Sequence, residues 1–295
     1  HYTAPVITTL LSAAISDANN LAAYIHEGTD QGTFPAGSRE KLIAGISAAQ
    51  AVLNNSELAT QSAIDMATEQ LYDVMTNVEK SVVLSDKGLI DMSATKETVF
   101  LYKNLQYLSA GSKYLFGMHD ATAYGINQGG SSWYDDGSAT KSDVKQITGS
   151  HPAVFSQDVY DIIEYEPTTL TNYRHRQTKA YQEGGVITLV WHMDDPVNKT
   201  FYWDQLSPSY NVVASLLPGG MHHEWYKANL EKLAFYIKGL RSENGTSIPV
   251  IFRPFHEHNG AWFWWGRTRC TTAEYNAIWK FTIEYLRDER NVHSF

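Results

Sequence analysis

The 295-residue chain is 43% hydrophobic and 19% charged, enough apolar material for one large domain or one with a small companion. Its formal net charge of −9 repels phosphate backbones and anionic membranes, which argues against nucleic acid as a partner. A single cysteine, Cys270, excludes an intrachain disulfide and a thiolate metal cage. No apolar run reaches the roughly 18 residues of a membrane-spanning segment.

The sequence opens at His1 with neither Met nor a basic-then-apolar leader, the pattern of a mature or recombinant form. In residues 1–86 apolar side chains recur at helical spacing in three stretches. They are Ile7, Leu11, Ala14, Ala18, Leu21, Ala22 and Ile25; then Leu42, Ile46, Ala49 and Leu53; then Ile64, Ala67, Leu71, Val74 and Val78. The breaker-rich EGTDQGTFPAGS and NNSE lie between them. This pattern predicts a small all-α bundle with no cluster of catalytic residue types, a structural or spacer module.

Residues 87–295 alternate strands and helices. SATKETVFLYKNLQYLS reads as a helix introduced by Ser93 and Thr95. YLFGMHDATAYG is a short strand ending at His119 and Asp120, followed by a Gly-rich loop. SDVKQITG is a short helix capped by Ser142 and stopped at Gly149. PAVFSQD is a second strand, ending at Asp158, and a helix around Tyr173 to Gln182 stops at Gly184 and Gly185. VITLVWHMDDP is a third strand, ending at His192, Asp194 and Asp195. EWYKANLEKLAFYIKGL is a helix with Tyr226, Leu230, Leu233, Ala234 and Ile237 on one face. IPVIFRPFHEHNG is the fourth strand, and a Thr271–Glu274 capping box opens the helix YNAIWKFTIEYL. This order predicts an α/β fold with a parallel sheet. Polar groups at the C-terminal ends of successive strands are where a (β/α)8 TIM barrel builds its active site. The chain holds about the first four such units.

The stretch IFRPFHEHNGAWFWWG, Ile251 to Gly266, concentrates the chemistry. Arg253 and Glu257 are four apart, so they share a face if the strand stays extended. A carboxyl held among Phe255 and the Trp run is expected to have its charged form disfavoured, which suits a general acid. Arg253 can orient a carboxylate through paired hydrogen bonds. An isolated R-x-x-x-E is more readily a buried structural ion pair; Trp262, Trp264 and Trp265 directly downstream shift the reading to function. Trp and Tyr beside Gly and Asn also suit stacking on the C–H faces of sugars. His256 and His258 flank Glu257, but no H-E-x-x-H spacing is present, and no metal or other cofactor is expected. His192 reads equally as a substrate contact or a hydrogen-bonded structural His. Asp120, Asp158, Asp194 and Asp195 divide between hydroxyl binding and helix capping. His222–His223 reads as a loop or helix start, and Gly129–Gly130 and Gly219–Gly220 as turns, since G-x-G-x-x-G and Walker spacings are lacking.

FRPFHEHNGAWFWWG resembles the signature of glycoside hydrolase family 26, best known for β-mannanases. LIDMSATKETVFLYKNLQYLS, FGMHDATAYG, SDVKQITGSHPAVFSQD, GGVITLVWHMDDP and LPGG resemble family segments in the same order, so the similarity covers residues 89 to 295. The resemblance implies a (β/α)8 barrel that cleaves β-1,4-mannosidic bonds with retention. By position, Glu257 matches the general acid/base and Trp262 the aromatic that stacks on the sugar beyond the scissile bond. His256, Asn259 and Trp265 fall in the same motif, His192 matches the His ending strand three, and Arg253 the Arg that braces the carboxylates. Asp120 is carried as a further substrate contact. Phe155-Ser156-Gln157-Asp158 stands where the family commonly has F-G-W-D, so one Trp is missing.

Retaining glycosidases use two carboxyl groups about 5–5.5 Å apart. In the family the nucleophilic Glu comes from a later strand, beyond Phe295. Glu164, Glu166, Asp158 and Asp194 are the nearest candidates in this sequence, and none matches it. The expectation is an endo-β-1,4-mannan hydrolase acting on mannan or galactomannan, with the rest of the barrel as partner and an extracytoplasmic location, because polymeric mannan does not enter cells. A non-catalytic β-glycan-binding protein, or a hydrolase of another β-glycan such as β-1,3-xylan, are the alternatives.

Overall fold

The computed structural model describes residues 6–30, 32–83, 88–109, 111, 113–160, 163 and 167–295. Three helices come first: α1 (Thr9–Tyr24), α2 (Ser38–Asn54) and α3 (Gln61–Lys80). They pack on one another around a core that includes Leu11, Leu21, Ile25, Leu42, Ile64, Leu71 and Met75. Thr60 caps α3 by accepting from the Ala63 N–H. Ile7, expected on the buried stripe, is exposed because it precedes the helix.

Four parallel strands follow, in the order β1 (Gly117–His119), β4 (Val154–Asp158), β5 (Val186–Val190) and β6 (Val250–Arg253). Helix α4 (Lys96–Ser109) precedes them, with Thr95 Oγ1 accepting from the Thr98 N–H at its start. An antiparallel hairpin, β2 (Tyr124–Ile126) with β3 (Ser132–Tyr134), grows from the C-terminal end of β1 where a plain loop was expected. Helix α5 (Asp143–Thr148) is capped by Ser142 and ends at Gly149, whose φ of 83° is open to glycine. Helices α6 (Pro167–Gln182), α7 (Val212–Leu216) and α8 (His223–Lys238) connect the later strands. Helix α9 (Thr272–Glu284) opens with the full Thr271–Glu274 capping box and passes into a π-helical turn, Tyr285–Glu289.

The register divides the sheet into two faces. Met118, Phe155, Ile187 and Val250 align across it, as do Gln157, Leu189 and Phe252. The apolar members of these rows join Leu230, Leu233, Ala234 and Ile237 of α8 in the main core. The opposite face aligns His119, Ser156, Thr188 and Ile251, with Asp158, Val190 and Arg253 one layer above. There His119, Ile251 and Arg253 are exposed. The last residues run beside β6, where the Val250 N–H donates to Ser294 O at 2.9 Å and the Phe252 and Phe295 rings meet edge to face.

The three-helix segment is not loosely tethered. Glu79 of α3 and Arg241, which follows α8, form an ion pair with 1% and 3% of their surfaces exposed. Lys238 reaches Glu69 and Asp73 at 2.7 and 2.8 Å. Arg174 of α6 donates to Tyr72 Oη at 3.3 Å and lies over the Tyr72 and Phe235 rings. A cavity of about 720 Å³ opens at the N-terminal ends of the strands, between α4 and Ala153, Val186 and Pro249. In β/α barrels that end contributes to stability rather than chemistry.

Candidate active site

The polar residues cluster at the C-terminal ends of β4, β5 and β6. Strand β6 ends at Arg253, and the chain then turns sharply: Phe255 and Glu257 both adopt left-handed backbone angles, with φ of 51° and 55°. Such angles cost non-glycine residues of order 1 kcal/mol each and concentrate at functional turns. The turn re-aims Glu257. Its carboxylate is exposed and Oε2 accepts from Trp262 Nε1 at 2.9 Å. The burial expected for Glu257 is therefore absent: Phe255 sits beneath it in the core, against Trp264, Trp265 and Tyr275. Because the strand does not stay extended, Arg253 and Glu257 do not pair; Arg253 is exposed and forms no ion pair among the described residues.

The four consecutive aromatics have different jobs. Trp262 is 47% exposed on the rim. Phe263, Trp264 and Trp265 are buried. Trp264 Nε1 donates to Met193 O at 2.7 Å, tying the turn to the end of β5, and Trp265 Nε1 donates to His256 O at 2.8 Å. Trp265 thus braces the site from below and, at 1% exposure, offers no face to a ligand. Asn259 is exposed in the turn. His258 stacks on Tyr275.

Three side chains from three strand ends form a chain of hydrogen bonds. Asp158 Oδ2 accepts from His192 Nδ1, and Asp158 Oδ1 accepts from the His192 N–H at 3.1 Å. His192 Nε2 lies 3.0 Å from His256 Nε2. With a neutral His192 protonated on Nδ1, His256 Nε2 supplies the second proton. Among the described residues His256 Nδ1 is buried without a partner, and this tautomer leaves a lone pair there rather than an unpaired N–H. Burial first, then the neighbouring His192 and Arg253, hold His256 down to about 4, so it is neutral near pH 7. Burial pushes Asp158 upward, but the bonds it accepts from the His192 ring and from the Tyr160 and His192 N–H groups outweigh this and hold it below the usual carboxylate range. The Phe201 and Phe263 rings pack on His192 at 5.1 and 5.2 Å. The chain fixes the residue beside Glu257 from two sides.

The other strand-end carboxylates differ in role. Asp195 is fully buried and accepts from the N–H groups of Val197 and Asn198, which makes it a turn former. Asp194 accepts from Tyr160 Oη at 3.3 Å, and Asp120, with φ of 50°, lies 3.4 Å from His119 Nε2. Glu164 and Glu166 lie outside the described residues. His223 starts α8 and contacts Leu216 O, so the His222–His223 pair stands at a helix start. Burial pushes the Cys270 thiol up to about 11, which keeps it un-ionised near neutral pH. Among the described residues no group of three or more His, Cys, Asp or Glu side chains could hold a metal ion.

Sequence reading singled out Glu257, His192, His256 and Trp262, and the structure brings them onto one rim. It did not join Asp158 to His192, nor find Phe201 as their packing partner. Counting back from the parallel strand ends would have aligned Asp158 with Val190, two residues before His192.

Residues 90–295 match the profile of glycosyl hydrolase family 26. The chain belongs to glycosyl hydrolase family 26. It is similar to a mannan endo-1,4-beta-mannosidase of Bifidobacterium adolescentis, 31% identical over 70% of this chain and 20% of the relative. Among solved structures it is similar to a modular endo-beta-1,4-mannanase from Cellulomonas fimi, at 36% identity and TM-score 0.59, over 68% of this chain and 45% of that one. It is similar also to the catalytic domain of a family 26 endo-beta-1,4-mannanase from a Bacillus species, at 36% identity and TM-score 0.61, over 68% and 53%. The chain thus spans between a fifth and about half the length of these family members.

Proposed function

We propose that this chain supplies the acid/base side of the active site of a retaining endo-β-1,4-mannanase acting on mannan or galactomannan. The observation that carries the reading is Glu257. It stands exposed at the C-terminal end of a parallel strand, one oxygen held by the Trp262 indole N–H, beside a pinned neutral His256, in a family 26 chain. In this reading Glu257 protonates the glycosidic oxygen as the C1–O bond breaks, while a second carboxylate bonds to C1 from the opposite face. Glu257, now ionised, then takes a proton from water, the water oxygen bonds to C1, and the second carboxylate leaves. Trp262 stacks on the sugar beyond the scissile bond; His192, Asn259, Arg253 and Asp120 face the substrate, and Trp265 supports His256.

The second carboxylate is assigned to a residue outside this sequence. Parallel sheets are ordinarily covered on both faces, yet here His119, Ile251 and Arg253 face outward. Residues 293–295 already lie along β6, where a fifth strand would pair. Further β/α units that close a (β/α)8 barrel over this face would carry the nucleophile. An extracytoplasmic location follows from a polymeric substrate.

Reducing ends released from mannan by a protein that joins this chain to the further β/α units test the reading. Turnover there that is lost in Glu257→Ala, with oligosaccharide binding kept, supports it. Binding without turnover in that longer protein would assign the chain to glycan capture instead; the 295 residues by themselves are expected to bind without turnover.

A further inference from the structure

The hairpin β2–β3 plays no part in the chemistry above, and it presents an unusual surface. Its register sets Tyr124 opposite Tyr134 and Ile126 opposite Ser132, so these four side chains share one face. Tyr124, Ile126 and Tyr134 are 52%, 61% and 78% exposed. The other face is locked down. Asp143, the first residue of α5, accepts from Trp133 Nε1 at 2.7 Å and from the Ile126 N–H at 3.0 Å. Trp133 is buried, and Lys141 lies over its ring. A Cβ on Gly125 would lie 2.2 Å from Asp143 Oδ1 and 2.6 Å from Trp133 Nε1, so only glycine fits there. The two tyrosines are therefore held outward on a rigid support, not left exposed by a loose loop.

We infer that the Tyr124–Tyr134 face is a distal stacking platform for sugar rings of the same β-linked glycan chain that enters at Glu257. The inference rests on the reading proposed for that cleft. Three features select a sugar chain as the occupant. The hairpin rises from the C-terminal end of β1, the same end of the sheet that carries Asp158, His192 and Glu257. Strand β1 is separated from β6 by β4 and β5, three inter-strand spacings, or about 14 Å, a reach that a short oligosaccharide covers. The ring faces are bordered by a hydrogen-bonding group, the Ser132 hydroxyl beside them on the same face. Apolar faces rimmed by a small polar group match a pyranose, with its C–H face and peripheral hydroxyls.

The test is titration of the 295-residue chain with mannotriose and mannohexaose by calorimetry, for wild type and for Tyr134→Ala, Tyr134→Phe, Tyr124→Ala with Tyr134→Ala, and Trp262→Ala. The inference expects mannohexaose to bind about tenfold or more tightly than mannotriose, the scale of one or two aromatic contacts. Tyr134→Ala should remove most of that gain, the double variant all of it, and Tyr134→Phe none, with mannotriose affinity unmoved throughout. A chain-length gain that survives the double variant, equal affinities for the two oligosaccharides, or no binding of mannohexaose to wild type overturns it. Trp262→Ala reads the cleft separately: if mannotriose affinity is unchanged there, the reading of the cleft fails, whatever the tyrosines do.

Discussion

Removing the Glu79 carboxylate should destabilise the sheet region although Glu79 belongs to α3. Glu79 is 1% exposed and accepts from Arg241 Nη1, from the Ser247 N–H and from Ser247 Oγ. Glu79→Ala leaves the Arg241 guanidinium buried without its counter-charge, which costs about 3–5 kcal/mol. It also leaves the Ser247 N–H unpaired, a further ~1–3 kcal/mol. Water entering the space recovers part of this, so about 5 kcal/mol is expected, a third or more of the roughly 5–15 kcal/mol that holds an ordinary domain together. Replacing both partners, Glu79→Met with Arg241→Met, removes the orphaned charge and should recover most of the loss. Urea unfolding followed by tryptophan fluorescence makes the measurement discriminating, because all 8 tryptophans lie between Trp133 and Trp279. If the three helices are an integral part of the fold, the fluorescence midpoint moves with Glu79→Ala. A tryptophan transition that stays put while the helical circular dichroism falls, or a cost under about 1 kcal/mol, would refute the reasoning.

Other expectations follow from single contacts. A Cβ on Gly260 would lie 2.2 Å from the Trp262 ring, so Gly260→Ala should displace that indole, break its bond to Glu257 and weaken mannotriose binding by about tenfold, read by calorimetry. Burial raises Asp17 to about 6 despite Arg241 and Arg174, and burial together with Glu79 raises Glu97 to about 7. Their folded values exceed the unfolded ones, so the stability they favour is complete below about pH 4 and is lost as pH rises through 6 to 7; Asp17→Asn and Glu97→Gln should each add roughly 1–2 kcal/mol at pH 8 and nothing at pH 4, by urea midpoints. Asp158 has the opposite sign: its depressed carboxyl stabilises above about pH 4, and that contribution fades as pH falls through its folded value. Asp158→Asn should therefore lower the urea midpoint near pH 7 and lose its effect in acid.

The segments were legible because their signals are local. Gly149 and Gly184 stop helices where expected, the Thr271–Glu274 box forms, and the four apolar runs become the four parallel strands. The hairpin was missed because β2 and β3 are three residues each, too short for alternation to stand out. The motif around Glu257 marks the candidate site in sequence but not the environment of its carboxyl: the Trp run reads as a wall around it, whereas two of the three indoles are core.

By itself the sequence determined the family, the order of the four parallel strands and the longer helices, and which residue types gather at the strand ends. Those properties are written in neighbours a few positions apart, where backbone geometry repeats. Only the tertiary structure decided that Asp158 meets His192 across 34 residues, His192 meets His256 across 64, and Arg241 meets Glu79 across 162. Such meetings depend on strand register and on the angle at which helices dock, which are set by packing the whole chain at once and leave no local trace.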